Sequence, residues 1–234
     1  MKVIILAGGY GTRISEETHD KPKPMVLINN VPILWHVMSI YAKQGFTEFI
    51  IATGYKSEVI EKWVDKISDP WEIKIMDTGL NSQTGWRILE CMKTKPDSKF
   101  MATYGDGLGN VNIRKLLDFH NLQSRLATVT AVRPPARFGV LSTQNGLVTR
   151  FGEKLQADAG WINGGFLVLE PRVKDYIVDA LEPFETGALP RLVSDQQLSA
   201  FQHEGFWCPM DTLREKQDLE KIGKMSTPSW LVGI

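Results

Sequence analysis

Cysteine is nearly missing from this chain of 234 residues, and the two present, Cys91 and Cys208, stand far apart in no metal-ligand spacing. A disulfide framework and a cysteine-based zinc site are thereby excluded, and a reducing cytoplasm is the expected setting. Long hydrophobic runs are missing as well: none approaches the ~20 apolar residues of a membrane span. Before its first glycines the chain has one lysine and a short apolar run, too little for a secretory leader. Nor is one charge in excess. Lys plus Arg and Asp plus Glu both number 27, with no block of either sign, so nothing marks a nucleic-acid or anionic-membrane footprint. The partners to expect are small molecules. A chain of this length, 43% hydrophobic, can bury one substantial core, and without an internal repeat or a linker-like stretch a single domain over 1–234 is expected.

Two common glycine fingerprints are absent too, although the segment VIILAGGYGTR, Val3 to Arg13, runs from a short apolar stretch straight into a glycine cluster. A Walker-type loop, G-x-x-x-x-G-K-[ST], needs Lys-Ser or Lys-Thr after a glycine, and neither follows. A dinucleotide fingerprint, G-x-G-x-x-G, needs a third glycine where Ile14 stands and a helix where the polar, proline-broken SEETHDKPKP follows. What remains is a loop of small residues whose backbone N–H groups can approach an anion, with Arg13 able to fork onto a phosphate and Lys23 supplied from KPKP. The competing reading is a tight strand exit with no ligand.

Strand and helix signals alternate along the chain. The unbroken apolar run 3–7 reads as a buried strand of a parallel sheet. Over 31–44 the residues Ile33, Leu34, Val37, Met38 and Tyr41 recur at helical spacing, with Pro32 in the first turn and Gly45 as the stop. Strands are expected over 47–54, 72–79, 99–107, 127–132 and 161–170, and helices over 57–67, 113–121, 173–181 and 213–223. FGVLS and GLVTRF, separated by TQN, read as an antiparallel hairpin at which the sheet becomes mixed. In such α/β sheets ligands sit beyond the carboxyl ends of the strands, so the loops there are searched for chemistry. In Tyr104-Gly105-Asp106-Gly107 the aspartate is either an unobstructed Mg²⁺ ligand or an ordinary Asp-Gly turn. In GFWCPMDT, Asp211 has apolar and aromatic neighbours and needs a partner; it is either a second metal ligand, or Asp211 or Thr212 caps the helix that follows.

Taken in order, ILAGGYGTR, KPKPM, PILWHVM, TYGDG, AVRPPARFG, INGGF and GFWCPMDTLR resemble the sugar-1-phosphate nucleotidyltransferases, and within them the glucose-1-phosphate cytidylyltransferases, over nearly the whole chain. The resemblance implies an α/β, Rossmann-like three-layer nucleotidyltransferase fold with a mixed, mostly parallel central sheet, residues 1–110 mainly binding nucleotide and 111–234 mainly binding sugar phosphate. It implies transfer of a cytidylyl group from CTP to glucose 1-phosphate, giving CDP-glucose and pyrophosphate for deoxysugar and surface-polysaccharide synthesis, with Mg²⁺ as cofactor and a homo-oligomer as the assembly. Catalysis would fall to Arg13, Lys23 and Asp106. The nucleotide would be bound by Leu6, Ala7, Gly8, Gly9, Gly11, Thr12, Arg13, Lys23, Ser82, Gly85, Arg87 and Gly105. The sugar phosphate would be bound by Glu153, Lys154, Asn163 and Gly164, and the metal by Asp106 and Asp211. His36 reads as a packed side chain, since phosphoryl transfer of this type asks for no general base; Trp207 reads as core or pocket wall.

The chain also departs from the family pattern, with Leu155 where a proline usually follows the Glu-Lys pair, Trp86 where a second glycine usually follows Gly85, and only ISDP between the helix ending near Lys66 and the strand at Trp71. An indole at position 86 either packs away or reshapes the base pocket. Two alternatives remain open: the same reaction with another nucleotide or another sugar 1-phosphate, and a binding subunit without turnover. The complete charged set Arg13, Lys23, Asp106, Lys154 and Asp211 argues against the second.

Overall fold

The computed structural model describes residues 1–134, 139–153 and 160–234, with the side chains of 139–143 and 150–153 left out of the description. Its elements are β1 (Val3–Leu6), α1 (Ser15–Thr18), β2 (Leu27–Ile28), β3 (Val31–Pro32), α2 (Ile33–Ala42), β4 (Glu48–Thr53), α3 (Ser57–Val64), β5 (Glu72–Asp77), α4 (Thr84–Met92), β6 (Phe100–Tyr104) and β7 (Gly107–Gly109). They continue with α5 (Ile113–Gln123), β8 (Ala127–Val132), β9 (Gly139–Gln144), β10 (Leu147–Glu153), β11 (Ile162–Asn163), β12 (Leu167–Leu169), α6 (Ala188–Ser194), β13 (Leu198–His203), β14 (Trp207–Pro209) and α7 (Leu213–Gly223).

An eight-stranded sheet forms the middle layer. β1 lies at its centre, parallel to β4 on one side and to β6 on the other, with Val3 opposite both Phe49 and Met101. Flanked on both edges and covered on both faces, β1 has no solvent-facing side, and this is why its sequence is continuously apolar. Alternate residues go to opposite layers: Val3 and Ile5 pack with Leu34, Val37 and Tyr41 of α2, while Ile4 packs with Ile88 and Cys91 of α4. Helices therefore cover both faces, the three-layer, mostly parallel arrangement expected. Ile4 and Ile5 are fully buried, and truncating either to alanine costs about 2–5 kcal/mol.

The mixed direction arises elsewhere than expected. The hairpin β9–β10 forms a two-stranded sheet of its own, turning through Asn145 and Gly146, both at positive φ. The strands that run against the others are β11, antiparallel to β8, and β12, antiparallel to both β6 and β8. The single strand expected over 161–170 is broken into β11 and β12, because Gly164 lies against Val132 and Gly165 and Phe166 take φ of 79° and 47°. The helix expected over 173–181 is a 3₁₀ turn, Pro171–Tyr176. Val173 within it and Ile177 just after it are buried, while Val178 and Leu181 point to solvent, so the buried face does not continue through 181 as a helix would need. One turn of helix, α1, also stands in the polar segment expected to be non-helical.

Candidate active site

The C-terminal ends of β1 and β6 and the loop after β5 open on one cleft of about 1280 Å³. Its first wall is the loop after β1. Gly11 turns the chain at φ 66°, its carbonyl accepting from Ile14 N at 3.1 Å and from Thr18 Oγ1 at 3.1 Å. A Cβ on Gly11 would stand 2.8 Å from Thr18 Cγ2 and 3.0 Å from Lys23 Cβ, so position 11 needs glycine for space as well as for backbone conformation. Gly8 needs it for a different reason: the Arg87 guanidinium lies where its Cβ would be. Arg87 is 4% exposed and donates to Gly8 O at 3.1 Å, Thr53 O at 2.8 Å and Thr78 Oγ1 at 2.6 Å. It thus ties together the ends of β1, β4 and β5 from behind the loop. Burial pulls its pKa below the ordinary arginine value.

Lys23 is the first residue of a 3₁₀ turn, Lys23–Met25, with Pro22 before it and Pro24 after it, which fixes the backbone that aims it. Its ammonium, 7% exposed as a residue, donates to Asp106 Oδ2 at 2.5 Å and to Asp211 Oδ1 at 2.6 Å. Arg13 Nη1 reaches the other oxygen of Asp211 at 2.5 Å. Burial works against the charge on Lys23, but attraction to Asp106 and Asp211 and the bonds it donates to them outweigh it and raise its pKa above the ordinary lysine value.

Residues as distant as 106 and 211 converge because β7, directly after Asp106, pairs antiparallel with β14, with Gly107 opposite Pro209 and Met210 N bonded to Asp106 O at 2.9 Å. The helix after Asp211 is capped by its neighbour. Thr212 Oγ1 accepts from Glu215 N at 3.2 Å, and Glu215 Oε2 accepts from Thr212 N at 3.0 Å and from Asp211 N at 2.7 Å. That capping box frees the Asp211 carboxylate for the cleft. No group of three or more metal-ligating side chains gathers among the described residues. A convergent carboxylate pair suits Mg²⁺ nonetheless, since that ion keeps waters and takes substrate phosphates besides one or two carboxylates.

In the part of the cleft lined by β6, β11 and β14, Asn163 accepts from Gly165 N at 3.0 Å and donates to Tyr104 Oη at 3.1 Å, while Gly164 O accepts from Trp207 Nε1 at 2.9 Å. Tyr104 and Thr84 both donate to Glu185, at 2.6 and 2.7 Å. Burial first, then the Glu185 carboxylate beside it, push the Tyr104 phenol well above its ordinary pKa, so it remains a donor.

Of the expected nucleotide set, Leu6, Ala7, Gly8, Gly9, Gly11, Thr12, Arg13, Lys23, Ser82, Arg87 and Gly105 line this cleft, together with Asp106, Asp211, Asn163 and Gly164. Gly85 does not: it is buried in the first turn of α4 against Glu182 and Phe184. Ser82 donates back to Thr78 O and Gly79 O, shaping the loop it stands in. Trp86 packs away from the cleft, beneath the Lys93 ammonium at 5.2 Å. His36 is packed, bonded to Ile28 O, and Trp207 is a wall of the cleft. The Glu153 side chain and the whole of Lys154 lie outside the described residues. Glu185, Tyr104 and Thr84 were not expected here. Glu185 had no sequence signal at all; α4, which carries Thr84, was not among the expected helices, and the only signal for it is the helical spacing of its buried residues Ile88, Cys91 and Met92.

Residues 2–214 match the nucleotidyl transferase family. Glucose-1-phosphate cytidylyltransferases of Salmonella typhi and Salmonella typhimurium are each 42% identical over 253 aligned residues, covering 98% of this chain and 98% of theirs. Among solved structures, HddC from Yersinia pseudotuberculosis in complex with GMP-PN superposes with a TM-score of 0.73 at 23% identity, over 95% of this chain and 99% of that one. At that identity the likeness shows the fold alone.

Proposed function

The chain belongs to the nucleotidyl transferase family, and from that premise we propose that it is the enzyme that joins CTP and glucose 1-phosphate into CDP-glucose, releasing pyrophosphate. The near full-length identity to curated enzymes of that name supports the substrates. The observation that carries the chemistry is the convergence of Lys23 on Asp106 and Asp211, with Arg13 on the same Asp211, beside the glycine loop.

A sugar-phosphate oxygen attacks the α-phosphorus of CTP; a new P–O bond forms there as the bond to the β-phosphate oxygen breaks, and that oxygen leaves with pyrophosphate. The protein supplies no covalent partner, so its contribution is orientation and neutralisation of charge. The backbone N–H groups of Gly8, Gly9, Gly11 and Thr12 receive the phosphates. Arg13, 72% exposed on its side chain, swings from Asp211 to the β- and γ-phosphates. Lys23, held close by its two prolines, turns its ammonium to the α-phosphate. Asp106 and Asp211 are the residues that would hold Mg²⁺, and the ion would supply further neutralisation of the phosphate charge when bound.

Arg87 acts behind the loop, fixing the Gly8 carbonyl so that the neighbouring N–H groups face the cleft. Leu6, Ala7, Ser82 and Gly105 border the nucleotide, whereas Gly85 stands away from the cleft, where a Cβ would meet only ordinary contacts at 3.4 Å or more. Asn163 and Gly164 meet the sugar, and Glu153 and Lys154 are assigned to the sugar phosphate. On this reading residues 1–110 mainly serve the nucleotide and 111–234 the sugar phosphate. No helix among the described residues is long and apolar enough to cross a membrane. We place the enzyme in the cytoplasm as a homo-oligomer that feeds deoxysugar and surface-polysaccharide synthesis.

The test is pyrophosphate release from a panel of nucleotides and sugar 1-phosphates with Mg²⁺. Release with CTP and glucose 1-phosphate is expected. Release with UTP or dTTP but not CTP overturns the base assignment, and no release with any pair overturns the enzyme.

A further inference from the structure

The geometry points to Glu185 as the acceptor of a hydroxyl of the sugar 1-phosphate, and hence as a determinant of which sugar enters the cleft. This rests on the reading of the cleft given above and goes beyond it, since that reading assigns Glu185 nothing.

Glu185 lies in the segment between the 3₁₀ turn and α6, half-buried, with its carboxylate on the cleft. Oε1 accepts from Tyr104 at 2.6 Å and Oε2 from Thr84 at 2.7 Å. An ionised carboxylate offers about four acceptor positions, so each oxygen keeps one for the cleft. Both donors are held from behind. Tyr104 Oη accepts from Asn163 Nδ2 at 3.1 Å, and Thr84 Oγ1 accepts from Phe184 N at 2.8 Å. The segment itself is pinned by Glu182, which takes Arg191 through both oxygens at 2.8 and 2.7 Å. The remaining acceptor positions are therefore fixed in direction before any ligand arrives.

What such a group selects follows from its charge. Asp106 and Asp211 both carry cations, whereas no cation pairs with Glu185 among the described residues. Its negative charge repels phosphate, and with every fixed neighbour a donor to it, it can only accept from a ligand. Neutral O–H groups on a polyol meet that requirement. The chain of bonds from Glu185 through Tyr104 to Asn163 runs toward β11, which lies four strands across the sheet from β1 and the glycine loop that follows it, and this favours the hexose over the ribose. A donor lost from such a site leaves a desolvated carboxylate without its partner, so discrimination against the deoxy analogue is roughly tenfold or more.

The experiment compares kcat/KM for glucose 1-phosphate and its 2-, 3-, 4- and 6-deoxy analogues in the native enzyme and in Glu185→Gln. The native enzyme is expected to reject one analogue by roughly tenfold or more. Glu185→Gln should raise KM for glucose 1-phosphate by a similar factor, leave that one analogue nearly unaffected, and keep KM for CTP within about twofold. A purely structural glutamate would lower all the sugars alike, and that outcome overturns the inference, as does retained discrimination or a rise confined to KM for CTP. If Glu185→Gln does not fold, Tyr104→Phe removes the donor that aims the carboxylate; discrimination should then narrow a few-fold, and unchanged discrimination overturns the inference. A native enzyme that releases no pyrophosphate with any sugar phosphate refutes the reading of the cleft instead, and this inference with it.

Discussion

Replacing Lys23 by Met tests whether the charged cluster is held together by charge. Methionine keeps most of the apolar stem beside Gly11 and removes the ammonium that Asp106 and Asp211 share. With both carboxylates touching one nitrogen, their nearest oxygens are no more than ~5 Å apart, where like charges repel by about 3 kcal/mol at an effective dielectric constant of 20. Side-chain exposure of 26% at Asp106, and Arg13 on Asp211, reduce that. A net loss of about 2 kcal/mol is expected once screening is allowed for. For a chain of this length that lowers the thermal midpoint by about 4–8 °C. The assay is unfolding without nucleotide or divalent cation at low salt, for Lys23→Met, Asp106→Asn and the double variant. Asp106→Asn should recover about 1–2 kcal/mol in the Lys23→Met background, because it removes the repulsion that the first substitution exposes. If its effect is instead the same in both backgrounds, or adds a further loss, Lys23 contributes by packing and the charge argument is refuted.

How much of this could be seen in the chain divides by distance. β1, α2, β4, α3, β6 and α7 were readable because each is specified by its own neighbours: an apolar run closed by glycine, or apolar residues at helical spacing. α4 was overlooked because its first turn, Thr84-Gly85-Trp86, is continuous with a loop and its apolar stripe is short. β13 and β14 have partners more than 60 residues away, Ala127–Val132 and Gly107–Gly109, and their own residues say nothing of them. The same distinction runs through the site. Arg13 and Lys23 stand beside glycine and proline signals that suggest what they do. Asp106 and Asp211 were each ambiguous alone, and the β7–β14 pairing is what makes them a pair. Arg87 and Glu185 show the limit: a buried arginine bracing carbonyls and a carboxylate aimed by two hydroxyls are defined wholly by contacts across the fold.

Three further outcomes are expected. In the otherwise native enzyme, Asp106→Asn should cut turnover by about 10²-fold or more while the thermal midpoint moves by less than about 4 °C; a near-normal rate would make Asp106 a turn residue. Gly11→Ala forces a Cβ to 2.8 Å from Thr18 and places alanine at φ 66°. It should cost about 2–4 kcal/mol in denaturant unfolding and lower turnover by displacing Lys23; an unfolding curve superimposable on the native one would refute the close approach. The last outcome concerns acid. His36, His120 and His203 all have pKa values held below 6.5, in each case chiefly by burial, with the Glu170 bond partly opposing it at His120. Below pH 6.5 the unfolded chain takes up protons that the folded one refuses, so stability rises with pH through that window and falls on acidification, by up to about 1.4 kcal/mol per unit for each histidine. Glu170 acts on a lower range: its carboxyl is held below 4.5 by Lys99 and His120 against the effect of its own burial, and its contribution is lost only as pH falls through that lowered value. Unfolding free energy should therefore decline already between pH 6.5 and 5, and His120→Asn should flatten the decline. A flat profile there, or a gain on acidification, would show that the buried histidines accept their protons in the folded state.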